Sequence, residues 1–334
     1  MENPWESKAK NATISGLAVR RSMAGVNGYF TKSNNGVCFS HLPRFHPPQK
    51  RMMKRWLFLA SKSAIIGVAA FTGLLFIFQE KMIWFPRPYG AAYKMEVPKN
   101  AAELRYTTSQ GEQCAFYIPP HGASPMSSTG PERVWVCFCG NGSLALDWTD
   151  FINGDPDKHD GFLLVDYPGY GNCKGKPTPA CIDESADQAV AALAARLDMK
   201  PAELESRLCT LGHSIGAGIA LRFATRHAVQ QLIVFAPFTS LRDMARRQVG
   251  WPLCWMLRHN IDNRASMRAI AARATPPRVT IFHGADDQFI PPEMGSELAS
   301  MFPKIATFHK VTDAGHDTIV YAAASQAYEV MNGK

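Results

Sequence analysis

Residues 56–78, from Trp56 to Phe78, read WLFLASKSAIIGVAAFTGLLFIF and carry one charge, that of Lys62. No other stretch narrows the possible architectures as far. As a helix rising about 1.5 Å per residue it reaches roughly 35 Å, enough to cross a hydrocarbon core of about 30 Å. Its apolar residues surround the helix rather than one face and its flanks are sharply polar, a pattern that a buried core helix does not require. Lys62 lies near the N-terminal end, where its stem can carry the amine back toward headgroups. A cleaved leader fits less well, because no small-x-small site separates the apolar run from Gln79, Glu80 and Lys81. The expectation is a transmembrane signal anchor over 56–78.

The charge distribution supports the same division. The chain has a net charge of +8, which taken alone invites a nucleic-acid partner. Residues 1–56 contain ten Lys/Arg against Glu2 and Glu6, and the remainder has 26 basic and 26 acidic side chains. The body therefore has no bulk electrostatic reason to bind nucleic acid. Lys50, Arg51, Lys54 and Arg55 crowd the start of the apolar run, so the N-terminus is expected to stay cytoplasmic and the body to be lumenal, periplasmic or extracellular. Residues 1–55 lack apolar periodicity and read as a basic mobile tail, although Met52 or Met53 would also serve as a start and an organelle leader is an alternative.

The body is expected over residues 79–334, and from about residue 90 onward it alternates short β-branched or aromatic runs with longer Ala-rich stretches. Strands are expected over 103–107, 114–118, 133–139, 161–166, 208–212, 231–235, 278–283 and 305–311, with helices over 185–197, 215–227 and 292–301. Such alternation predicts an α/β fold, with a mostly parallel sheet flanked by helices. The eight cysteines show no CxxC or Cys/His spacing for zinc, and most of those in apolar runs read as buried thiols. A Cys173–Cys181 disulfide is an open alternative.

Within this body, the strand over 208–212 runs into Gly212-His213-Ser214-Ile215-Gly216 and then into a helix rich in small residues. A G-x-S-x-G turn between strand and helix presents its serine above the sheet edge. A serine hydroxyl needs a base to take its proton and an acid to orient that base. Both follow in the order this arrangement demands. The strand over 278–283 leads into Gly284-Ala285-Asp286-Asp287, and that over 305–311 into Asp313-Ala314-Gly315-His316.

These motifs resemble those of the α/β-hydrolase superfamily over about residues 90–330. The anchor followed by Gln79-Glu80-Lys81-Met82-Ile83-Trp84-Phe85-Pro86 resembles the single-span, bud-emergence-type branch. The resemblance implies Ser214 as nucleophile, His316 as base and Asp287 as acid, with Asp286 the runner-up and Asp243 a minor alternative. It also implies an oxyanion hole from the N–H groups of Ile215 and Asn141, the latter in Cys139-Gly140-Asn141-Gly142-Ser143. Asp166-Tyr167-Pro168-Gly169-Tyr170-Gly171 resembles a loop that packs beneath such sites.

A short helical cap is expected over about 241–277, where Trp251, Trp255 and Met256 are candidates to line an acyl pocket or touch the bilayer. The implied activity is hydrolysis of an ester or thioester in an acylated small molecule, lipid or protein, through an acyl-enzyme and with no metal or organic cofactor. Amide hydrolysis on the same fold, or partner binding without catalysis, are the competing classes.

Overall fold

The computed structural model describes residues 50–90, 93, 96–120, 130–156 and 159–333. The expected tail up to residue 49 lies outside the described residues. Contacts divide the chain into two compact units, 1–60 and 61–334. In the first, residues 50–60 are helical. The second holds the sheet and the residues of the candidate site.

Helix α1 (Lys50–Ile83) runs unbroken for 34 residues. Among the described residues it is the one helix long and apolar enough to cross a membrane, by length and composition. It extends past the apolar run at both ends. At its C-terminal end Gln79 and Trp84 are buried, so the polar flank after Phe78 belongs to the folded body.

Eight strands follow: β1 (Ala102–Thr108), β2 (Gly111–Ile118), β3 (Val134–Phe138), β4 (Gly161–Val165), β5 (Leu208–His213), β6 (Gln231–Phe235), β7 (Arg278–Gly284) and β8 (Ala306–Val311). They form one sheet in the order β1-β2-β4-β3-β5-β6-β7-β8. β1 and β2 are antiparallel additions, and β3 through β8 pair in parallel. The central strands VWVCF, GFLLV and QLIVF are buried at every residue. Continuous rather than alternating apolar runs mark strands covered on both faces.

The covering helices are α2 (Thr149–Gly154), α3 (Pro179–Arg196), α4 (Pro201–Glu205), α5 (Ile215–Arg226), α6 (Leu241–Val249), α7 (Asn263–Ala271), α8 (Pro292–Met301), α9 (Ile319–Ala322) and α10 (Ala324–Met331). In α5 the small residues Gly216, Ala217, Gly218 and Ala220 are buried, which lets its backbone approach the sheet closely. β4 and β5 flank β3 on opposite sides, so the direction of strand addition reverses at the centre. Open parallel sheets bind ligands at the carboxyl ends of strands beside such a reversal.

The cap is shorter than the expected 241–277. An antiparallel bridge between Ser240 and Asp262 closes the excursion at its base. α7 buries Met267 and Ile270, three apart on one face, and belongs to the helical layer beside α5. That leaves α6 and a 3-10 turn, Leu253–Met256, as the cap. The cysteines from Cys114 onward are free thiols, so Cys173 and Cys181 are not joined. Cys173 instead accepts the Cys114 N–H at 3.2 Å.

Candidate active site

Ser214 sits between β5 and α5 with φ 57° and ψ −118°. A non-glycine residue in that region is strained, and the surroundings must hold it there. Its N–H donates to the Phe235 carbonyl at 2.9 Å, and the flanking glycines remove the atoms that would push the turn apart. A Cβ on Gly212 would lie 2.4 Å from the Gly216 carbonyl oxygen, and one on Gly216 would lie 2.2 Å from that of Phe138. These neighbours are backbone, of α5 and of β3 respectively, and cannot swing aside. Gly216→Ala should therefore destabilise the fold by about 3 kcal/mol, at the upper end of overpacking costs, measured as a lowered urea midpoint.

His316, just beyond β8, places Nε2 2.9 Å from Ser214 Oγ. Its Nδ1 lies 2.7 Å from Asp287 Oδ2. Asp287, beyond β7, is buried, whereas Asp286 is exposed. The Phe289 and Ile290 N–H groups donate to Asp287 Oδ1 at 2.9 and 2.8 Å. Burial raises the Asp287 carboxyl pKa, but hydrogen bonds from His283, His316 and the Ile290 backbone outweigh it and hold the group below the usual carboxylate range. His283 is fully buried beneath this loop and bonds the Ile290 carbonyl at 2.9 Å. Asp243 is engaged elsewhere: it accepts from Thr239 and Ser240 at 2.7 Å and pairs with Arg264 at 2.5 Å.

His213 tethers the base loop. Its Nε2 bonds the His316 carbonyl oxygen at 2.9 Å. Burial, and then the neighbouring His316, lower its pKa to about 4. An unfolded histidine takes its proton near pH 6.5, so stability should fall as pH drops from about 6.5 toward 4, by at most about 3 kcal/mol. His213→Asn keeps a side-chain N–H for that carbonyl and removes the titration. Urea unfolding of this variant should show a shallower loss across that window.

Ile215 opens α5, whose first-turn N–H groups have no partner within the helix. It lines one cavity with Ser214 and Asn141, so the two expected oxyanion donors share a space with the serine. The Asn141 side chain fixes its loop: Oδ1 accepts the Phe85 N–H at 2.9 Å and the Tyr170 hydroxyl at 3.1 Å. Phe85 N–H also reaches Tyr170 Oη at 3.0 Å. From below, Tyr167 donates to the Cys139 carbonyl at 2.7 Å, and fully buried Asp166 accepts the Ala145 N–H at 2.8 Å. Burial raises the Asp166 pKa to about 6. The Asp166–Gly171 stretch thus supports the loop from beneath.

The cavity measures about 230 Å³ and is largely apolar, with Met244, Leu253, Met256 and Phe289 among its lining residues. Of the three cap residues expected there, Met256 lines it. Trp251 and Trp255 do not, and are 72% and 63% exposed. The 3-10 turn directs Cys254 and Met256 inward and leaves Trp255 outward, under the Arg242 guanidinium at 4.4 Å. A wall from the end of α1, including Phe76, Gln79 and Met82, was not anticipated from the sequence. The signal available was the apolar spacing that continues past Phe78.

A mostly parallel eight-stranded sheet in this order, with the serine after β5, the aspartate after β7 and the histidine after β8, defines the α/β-hydrolase fold. A model of the alpha/beta hydrolase family matches residues 134–268. The uncharacterized protein Rv2307c of Mycobacterium tuberculosis is 26% identical over 259 residues, covering 76% of this chain and 86% of that one. Alpha/beta hydrolase domain-containing protein 17B of Xenopus laevis is 28% identical over 154 residues, covering 46% and 49%. An esterase of Pyrococcus furiosus superposes with a TM-score of 0.56 at 14% identity, covering 75% of this chain and 97% of that one. The chain is thus similar to the alpha/beta hydrolase family in sequence over residues 134–268, and the structural likeness shows the same fold.

Proposed function

We propose that the protein is a membrane-anchored serine hydrolase of the bud-emergence-type branch that cleaves an ester or thioester through an acyl-enzyme. The observation that carries this reading is the hydrogen-bonded path from Ser214 through His316 to Asp287, opening on an apolar cavity. Ser214 Oγ attacks the acyl carbonyl while His316 Nε2 takes its proton, and Asp287 stabilises the imidazolium. The Ile215 and Asn141 N–H groups receive the developing oxyanion. His316 then protonates the leaving group, and water, deprotonated by the same imidazole, releases the acid.

In this reading residues 56–78 of α1 cross the bilayer with the N-terminus cytoplasmic and the hydrolase body on the far side, as the Lys/Arg bias favours. Exposed Trp251 and the Arg242–Trp255 pair are residue types that settle at a membrane interface, and they are assigned to bilayer contact rather than to the pocket. Labelling the full chain with a fluorophosphonate tests the chemistry. Wild type should be labelled and Ser214→Ala should not; an unlabelled wild type would favour a binding protein without catalysis.

A further inference from the structure

The residues of α1 that line the cavity include Leu75, Phe76, Gln79, Met82 and Ile83. Their spacing of three and four places them on one stripe of the helix. Leu75 and Phe76 belong to the apolar run itself. At about 1.5 Å per residue, Leu75 lies about 6 Å along the axis before Gln79, the first polar residue after the run. The cavity that contains Ser214 is therefore walled in part by a segment whose composition suits hydrocarbon.

Gln79, the polar member of the stripe, has its hydrogen-bonding groups occupied. Its Nε2 donates to the Phe76 carbonyl at 2.9 Å and toward that of Met256 at 3.4 Å, and its Oε1 accepts the Arg258 N–H at 2.7 Å. Arg258 also donates to the Phe76 carbonyl at 3.0 Å and lies 4.4 Å over the Phe76 ring. The helix end and the cap are thus joined around the cavity, and the polar groups face one another rather than a ligand. Phe76, Met82, Phe85 and Phe289 all line the cavity and remain exposed. An apolar rim is costly in water and is satisfied by lipid.

Resting on the hydrolase reading, we infer that the end of the anchor helix is one wall of the acyl site and that the substrate is a bilayer-resident acyl ester, whose chain passes from the membrane into the cavity along Phe76 and Met82. The scissile carbonyl then meets Ser214 while the rest of the lipid stays at the interface. A soluble ester or an acylated protein presented from water has no need of this apolar entry.

The full chain in phosphatidylcholine vesicles tests the inference with two probes, a short ethyl fluorophosphonate and a long-chain alkyl fluorophosphonate bearing a terminal diazirine. Each forms a Ser214 Oγ–P bond as the P–F bond breaks, with fluoride leaving and the serine proton passing to His316. After irradiation, the long probe should crosslink within residues 75–83. At fixed bulk concentration, threefold more inert phosphatidylcholine should slow its labelling about threefold, because the probe is supplied from the membrane. Labelling by both probes with crosslinks confined to other segments, or a long-probe rate indifferent to lipid dilution, overturns the inference alone. Failure of both probes to label Ser214 overturns the hydrolase reading and the inference with it.

Discussion

Ser214→Ala is expected to lower kcat for ester hydrolysis by about 10⁴- to 10⁶-fold, the range seen when the nucleophile is removed from such a relay. The strained turn is held by its surroundings rather than by the hydroxyl: the Ser214 N–H is bonded to Phe235, and the glycine contacts on either side are with backbone. The variant should therefore fold with an unchanged urea midpoint. The proposed oxyanion donors and the cavity remain, so residual turnover should still exceed the uncatalysed rate. Active-site-titrated kinetics on a short ester measure the effect, and a loss below tenfold would remove Ser214 from the chemistry.

Asp287→Asn should cost about 10⁴-fold in kcat, whereas Asp286→Asn should change it less than twofold. The asymmetry follows from how the carboxylate is held. Oδ1 of Asp287 receives two backbone N–H groups, from Phe289 and Ile290, and an asparagine satisfies them only by placing its carbonyl there. Its NH₂ then occupies the position of Oδ2, facing His316 Nδ1. The imidazole must accept at Nδ1 and carry its proton on Nε2, the nitrogen that should take the serine proton. Asp286 projects into solvent and exerts no such control. Comparable losses in the two variants would contradict the assignment.

Much of this architecture was legible because local pattern and tertiary environment agree. The eight runs of β-branched and aromatic residues form the eight strands, and the glycine-flanked serine falls at the junction of β5 and α5. Asp286 and Asp287 could not be separated by residue type, since the distinction lies in burial and in which carboxylate meets the backbone N–H groups. The cap boundary was misplaced because the Met267 and Ile270 stripe of α7 has the same spacing whether it packs on a cap or on α5. Trp251 and Trp255 were candidates for the pocket or for the bilayer, and composition does not decide between them: the direction of a side chain such as Trp255 in a short 3-10 turn is fixed by its neighbours. The contribution of α1 was hidden by its apolar composition, which looks the same whether its partner is lipid or an acyl chain.

The Phe85 N–H bonds both Asn141 and Tyr170, so the segment leaving α1 is tied to the loop that carries an expected oxyanion donor. In the proposed enzyme this makes the anchor non-interchangeable. A different membrane tether would keep the body at the surface but leave one side of the acyl groove open and the donor loop without its clasp. Proteolytic release after Pro86 would separate location and reactivity no better. Shedding from the membrane would act as an off switch rather than as secretion of a working enzyme.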